Sequence, residues 1–213
     1  MAILGGTFDP PHKAHVAVAL EACEKAGMDK IVFLPCHIPA LKSSPKVTPT
    51  QRLNMLQLVV EEHPGIDIDG RELLSDTTSY SVNTLEALKA EDPDTTLFFI
   101  IGTDNLIMFE KWHRWQDILE LCHLIVCRRS DKDDTPFETL HQDIKRRLID
   151  HIEPCHNASA GYIYLADTKL SDISSTEIRL ALAQGRDAST WLEPKVYDYI
   201  KQHGLYQGTP NTC

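Results

Sequence analysis

Much is missing from this chain, and each absence narrows what it can be. No apolar run approaches the ~20 residues of a membrane-crossing helix, and no charged-then-apolar leader precedes the opening Ala2-Ile3-Leu4. The first motif starts at Gly5, so no room is left for a cleaved leader, and a cytoplasmic, membrane-free protein is expected. Cys23, Cys36, Cys122, Cys127, Cys155 and Cys213 form no C-x-x-C pair and no framework spacing, which makes reduced thiols the expectation. Positive charge is scarce: 21 Lys and Arg face 31 Asp and Glu, a formal net charge of −10 that argues against a nucleic-acid-binding surface. Any anion site must therefore be a local basic pocket in an acidic protein. Neither G-x-x-x-x-G-K-[ST] nor G-x-G-x-x-G occurs, so the P-loop and the dinucleotide fingerprint are both excluded. There is no internal repeat and no low-complexity segment.

What is present suits a soluble globular protein with a full core: 213 residues, 42% hydrophobic and 24% charged. The pattern alternates strand and helix. Ala2-Ile3-Leu4 reads as a strand, Ala14 to Ala26 as a helix closed by Gly27, and Ile31-Val32-Phe33-Leu34 as a strand buried on both faces. Prolines make Pro35 to Pro49 a loop, and Thr48-Pro49 opens a helix with Leu53, Leu56 and Val60 on one face. Ile66-Asp67-Ile68 is a short strand, Ser79 to Leu88 a helix, Leu97 to Ile101 the central strand and Leu124 to Cys127 another. Phe137 to His151 carries a helical pattern, Tyr162 to Leu165 a last strand, and helices follow near 174–184 and 194–203. Strands separated by helices pair in parallel through right-handed crossovers, which predicts an α/β fold, a doubly wound, Rossmann-like parallel sheet with C-terminal helices. One domain over residues 1–206 is expected, with a frayed tail over 207–213. The sequence leaves the choice between monomer and homo-oligomer open.

Gly5-Gly6-Thr7-Phe8-Asp9-Pro10-Pro11-His12-Lys13-Ala14-His15 joins the first strand to the first helix. Two glycines let the backbone turn and approach a ligand. The helix start offers unpaired N–H groups and a positive dipole end, and His12 and His15 share one face of its first turn. That outlines a phosphate site. Far along the chain, Ile173-Ser174-Ser175-Thr176-Glu177-Ile178-Arg179 contains a capping box, Ser174-x-x-Glu177, on an amphipathic helix. Its hydroxyls, N–H groups and Arg179 would also converge on an oligophosphate.

GGTFDPPHKAH resembles the G-G-T-F-D-P-x-H-x-G-H signature of the nucleotidyltransferases related to class I aminoacyl-tRNA synthetases, and ISSTEIR is similar to that family's I-S-S-T-x-I-R segment. Arg71-Glu72-Leu73 followed by Ser79-Tyr80-Ser81-Val82-Asn83-Thr84-Leu85 resembles a segment of nicotinate mononucleotide adenylyltransferases, as does Phe99-Ile100-Ile101-Gly102-Thr103-Asp104 with Trp112-His113 downstream. Phosphopantetheine adenylyltransferases share the first motif but are shorter. The likeness runs from residue 3 to about 206. It departs at Ala14, where the family has glycine, at Ser81, where it has threonine, and at Leu41 beside Lys42, where a missing histidine thins the phosphate contact.

The resemblance implies transfer of the adenylyl group of ATP to nicotinate mononucleotide, giving nicotinate adenine dinucleotide and pyrophosphate, with Mg2+ carried on the phosphates and no metal held by the protein. It implies His12, His15, Lys42 and Arg179 as catalytic groups, and Gly5, Gly6, Thr7, Phe8, Ser175 and Thr176 around ATP. Thr78, Ser81, Asp104, Trp112 and His113 would surround the mononucleotide. The nucleophile is a phosphate oxygen already ionised at neutral pH, so the work is positioning and charge neutralisation rather than base catalysis. Asp104 reads equally as a ribose ligand and as a helix N-cap. Trp112 is a stacking platform by the family match and a core aromatic by spacing. Asp9 reads as a turn former rather than a Mg2+ ligand, and Arg128-Arg129 as a basic pair at the ligand edge or a solvated one. Cys155-His156 with His151 lacks the further spaced ligands of a metal site. Three readings compete: a nucleotide-binding regulator, opposed by intact His15 and Arg179; a tRNA-handling fragment, opposed by the acidic charge; and an adenylyltransferase for another phosphate ester.

Overall fold

A computed structural model describes residues 1–41, 43–75, 77–127, 137–168 and 173–208. Lys42, Arg128-Arg129 and residues 209–213 of the expected tail lie outside the described residues. The strands are β1 (Ala2–Gly6), β2 (Ile31–Pro35), β3 (Ile38–Pro39), β4 (Ile66–Ile68), β5 (Thr78–Ser79), β6 (Phe98–Gly102), β7 (His123–Cys127), β8 (Leu148–Ile149) and β9 (Ile163–Ala166). Seven form one sheet in the order β4-β2-β1-β6-β7-β9-β8, and β3 pairs with β5 apart from it. The described pairings are parallel. From β1 the chain winds outward to β2 and β4, then returns to β6 and winds the other way. The switch point lies between β1 and β6, and in such sheets ligands bind beyond the strands' carboxyl ends there.

The continuous apolar strands are explained by helices on both faces. Alternate residues feed two cores: Ala2, Leu4, Ile31, Phe33, Phe98, Ile100 and Ile125 on one side, and Ile3, Leu34, Phe99, Ile101, Leu124 and Val126 on the other. The first core is closed by α1 (Lys13–Lys25), α2 (Pro49–Glu62), α8 (Ser175–Ala183) and α9 (Pro194–Gln202), and the second by α3 (Ser81–Glu91) and α5 (Trp115–Leu121). Short α4 (Thr103–Ile107), α6 (Gln142–Lys145) and α7 (Glu153–His156) complete the described α-helices. None of them is long and apolar enough to cross a membrane. The described cysteines, Cys23, Cys36, Cys122, Cys127 and Cys155, are free thiols.

Three expectations need correction. α2 begins as predicted, with the Gln51 N–H donating to Thr48 Oγ1 at 3.2 Å and the Thr48 N–H to Gln51 Oε1 at 2.9 Å. Its inward face, however, is Arg52, Met55, Leu56 and Val59, while Leu53 and Val60 are only half-buried. The helix is turned about one residue so that Arg52 enters the interior, where carbonyl groups await it. α3 starts at Ser81 because Thr78 and Ser79 are drawn into pairing with Ile38 and Pro39. The helical pattern over 137–151 breaks up: Leu140, Ile144 and Leu148 recur every four residues, yet Leu148-Ile149 pairs with Ile163-Tyr164 as an edge strand.

Candidate active site

β1 ends in Gly5-Gly6, and the space a β-carbon would need there is already filled by protein. At Gly5 it would lie 2.7 Å from Phe99 Cζ, and at Gly6 it would lie 3.1 Å from Phe8 Cζ. The glycines let Phe99 and Phe8 close under the loop. Phe8 takes a left-handed φ of 50°, is 1% exposed and stacks on Phe33 at 5.1 Å. Its other neighbour is His15, at a ring separation of 4.9 Å.

His12 caps α1, and the two histidines hold each other. The His15 N–H donates to the His12 carbonyl at 2.9 Å, the His12 N–H donates to His15 Nδ1 at 3.2 Å, and the rings stack with centroids 3.7 Å apart. Nδ1 of His15 is thereby an acceptor, so its neutral ring carries the proton on Nε2.

α8 comes to the same loop. Ser174 caps it, accepting the Glu177 N–H at 3.2 Å, but the predicted capping box is only half made: the Glu177 carboxylate accepts the Ser174 hydroxyl at 3.1 Å instead of the Ser174 N–H. The Ser175 hydroxyl donates to the Pro10 carbonyl at 3.0 Å. Arg179 donates from Nη1 to the Asp9 carbonyl at 2.7 Å and from Nη2 to Thr176 Oγ1 at 3.1 Å. Asp9 itself is a tie: its carboxylate accepts the Lys46 N–H and the Tyr206 hydroxyl, each at 2.8 Å.

Beneath the loop lies Arg52, with no exposed surface. Its Nη1 donates to the carbonyls of Thr7 at 2.7 Å and Cys36 at 2.6 Å, and its Nη2 to that of His37 at 3.2 Å. One guanidinium thus joins the ends of β1 and β2. Burial pulls its pKa below the ordinary arginine value, with Cys36 and Asp9 acting against the shift.

Above these residues opens a cleft of about 800 Å³. Gly5, Gly6, Thr7, Phe8, His12, His15, Ser175, Thr176 and Arg179 line it, and so do Ser81, Trp112 and His113. Thr78 lies behind this wall in β5, where Ser79 takes the lining position and accepts the His37 N–H at 3.0 Å. Asp104 is the exposed second residue of α4, after Thr103 rather than at its cap, and its neighbour Asn105 lines the cleft instead. Trp112 is half-buried, 5.3 Å from Phe109 and edge-on to Phe99 at 6.1 Å, so it is at once core and cleft wall. Tyr80 and His113 pack at 4.5 Å. Ala14 is buried in the lining, and Leu41 lines the mouth at 53% exposure.

Sequence reasoning missed Arg52, Lys46, Lys111, Asn105, Glu72 and Tyr206. The lysines line the cleft and, with Arg179 and the histidines, make it locally basic. Glu72 opposes that charge, but burial pushes its carboxyl pKa up, against the pull of the Thr84 and Ser79 hydroxyls; Thr84 donates to it at 2.5 Å. Arg52 left one signal, a cation amid the apolar positions of α2. Lys46 and Tyr206 lie outside regular elements, and Glu72, Asn105 and Lys111 sit in helical segments of three to five residues, too short for a periodicity to be read.

The cytidylyltransferase-like family model matches residues 3–181. A relative from Pectobacterium atrosepticum, named "Probable nicotinate-nucleotide adenylyltransferase", is 42% identical, the alignment covering 97% of this chain and 98% of the relative. One from Pseudoalteromonas atlantica with the same name is 41% identical, over 97% of this chain and 94% of the relative. The solved structure of Plasmodium falciparum nicotinic acid mononucleotide adenylyltransferase complexed with NaAD shares the fold, with a TM-score of 0.71, 24% identity and 96% coverage of each chain. The chain belongs to the cytidylyltransferase-like family and, within it, to the nicotinate-nucleotide adenylyltransferases.

Proposed function

We propose that the cleft joins the adenylyl group of ATP to nicotinate mononucleotide, releasing pyrophosphate and forming nicotinate adenine dinucleotide, a step of NAD biosynthesis. The observation that carries this is the meeting of His12, His15 and Arg179 around one loop at the carboxyl end of β1, fastened from both ends of the chain. A mononucleotide phosphate oxygen attacks the α-phosphorus of ATP, and the bond to the departing pyrophosphate breaks in line. No proton need move. His15, through Nε2–H, and the Arg179 fork neutralise charge on the departing pyrophosphate, and the cleft aligns the reactants. Lys46 and Lys111 add positive charge at the mouth, and Lys42 belongs to the same loop by sequence.

Magnesium enters as part of the nucleotide. Among the described residues no group of three or more His, Cys, Asp or Glu is placed to hold a metal ion, and Asp9 is engaged by Lys46 and Tyr206. Mg2+ characteristically binds through phosphates and retained waters, so MgATP is the substrate. Free thiols and an ATP substrate go with a cytoplasmic setting.

The mononucleotide end favours the acid over the amide. Nicotinate presents acceptors and a full negative charge, whereas nicotinamide offers an NH2. The Trp112 backbone N–H is committed to the Phe109 carbonyl at 2.9 Å, so the start of α3 at Ser81, which no side chain caps, is the better source of donors. A preference in kcat/KM of roughly 10²-fold or more follows. Pyrophosphate release from MgATP with a panel of mononucleotides tests the proposal. Equal kcat/KM for nicotinate and nicotinamide mononucleotides refutes the specificity, and turnover only with another phosphate ester refutes the substrate.

A further inference from the structure

Near residue 206 the chain turns back onto the cleft. After α9 the backbone passes Gly204 at φ 60°, buries Leu205 and sets Tyr206 at φ 60° as well. A bulky residue there is strained, and such strain persists where the surroundings over-determine it. The Tyr206 hydroxyl donates to Asp9 Oδ1 at 2.8 Å, and the Lys46 N–H donates to Oδ2 at 2.8 Å. Held this way, Oδ2 makes only a long ion pair with Arg179, 3.9 Å from Nη1 and short of a hydrogen bond, while that same Nη1 serves the Asp9 carbonyl at 2.7 Å. Asp9 is 4% exposed, so solvent is a poor substitute for either donor.

A buried carboxylate beside the arginine that receives pyrophosphate is a rival for that arginine. We infer that Tyr206 is a positioning residue for the phosphate end of the cleft, acting through Asp9 to keep its long ion pair with Arg179 from closing to a direct hydrogen bond. This rests on the adenylyl-transfer reading above. A phenol suits the task because it satisfies the carboxylate without adding a second cation to compete for phosphate. Burial and the neighbouring Asp9 push its pKa upward, so it remains a donor.

Tyr206→Phe removes the hydroxyl and keeps the ring. Asp9 then turns toward Arg179, and the KM for ATP and the inhibition constant for pyrophosphate rise together, by roughly 5- to 10-fold for one charge-assisted bond redirected. The KM for nicotinate mononucleotide stays within about twofold, because its end of the cleft is untouched. Asp9→Asn removes the rival charge, so it holds the ATP KM at or below the wild-type value, and adding Tyr206→Phe to it changes nothing further. The inference is overturned if Tyr206→Phe leaves the ATP and pyrophosphate constants alone or raises both substrate KM values equally. It is also overturned if Asp9→Asn weakens ATP as much as Tyr206→Phe does, or if the two changes add. Absence of turnover in the wild-type protein would instead sink the adenylyl-transfer reading, so the two failures are distinct.

Discussion

Arg52→Met puts the buried clamp to the test. The guanidinium serves three carbonyls, of Thr7, Cys36 and His37. Each buried acceptor left unpaired costs about 1–3 kcal/mol, giving a gross loss of roughly 3–9 kcal/mol. Against this, methionine fills much of the same volume, and removing a buried cation returns several kcal/mol of desolvation. A net loss of about 3 kcal/mol is expected, which for a chain of this size lowers Tm by roughly 6–12 °C. Urea unfolding followed by fluorescence gives the midpoint, and turnover at a temperature where the variant is folded gives the effect on the cleft. Activity falls further than stability alone predicts, because Thr7 and Cys36 are cleft residues. Arg52→Lys keeps the charge but not the fork and falls between. A methionine variant with the wild-type midpoint and wild-type turnover refutes the clamp.

Other perturbations separate the remaining roles. His15→Ala cuts kcat by ~10²–10³, the loss expected when one donor to a developing charge is removed, with little change in the ATP KM; near-normal kcat would remove it from the chemistry. Trp112→Ala raises the KM for the mononucleotide and spares that for ATP, whereas equal damage to both marks the ring as core alone. Glu72 has a carboxyl pKa raised in the fold, first by burial, so the native state holds a proton the unfolded chain has released. Its contribution is present below the unfolded value of about 4.3 and declines as pH rises toward the folded one. Glu72→Gln therefore gains stability relative to wild type as pH rises above the unfolded value in urea titrations, and a difference that does not change with pH contradicts the account.

The strands were legible because a sheet covered on both faces writes itself as unbroken apolar runs, as at Ile31–Leu34 and Leu97–Ile101. The turn at Gly5–His15 and the cap at Ser174 were legible because their chemistry is local. Arg52 was not, since nothing in α2 announces that the carbonyls of residues 7, 36 and 37 lie beneath it. Leu148 misled for the opposite reason: its spacing is helical, and only its neighbour across the sheet, Ile163, makes it a strand. The role of Tyr206 depends on a contact 197 residues away, which no window along the chain can reveal.

That distance bears on how the protein is made. The loop after β1 is held by Ser175, Arg179 and Tyr206, and the start of α1 by Thr190, at separations of 165, 170, 197 and 177 residues. A ribosome adding about 5–20 residues per second needs roughly 8–40 s to span such gaps. Throughout that interval the nascent chain carries its nucleotide-binding signature without the groups that fasten it. The contacts that complete the cleft also come last: a chain broken off before α8 displays the motif and the Arg52 clamp beneath it, yet lacks the Ser175 tie and the Arg179 fork that the proposed transfer needs.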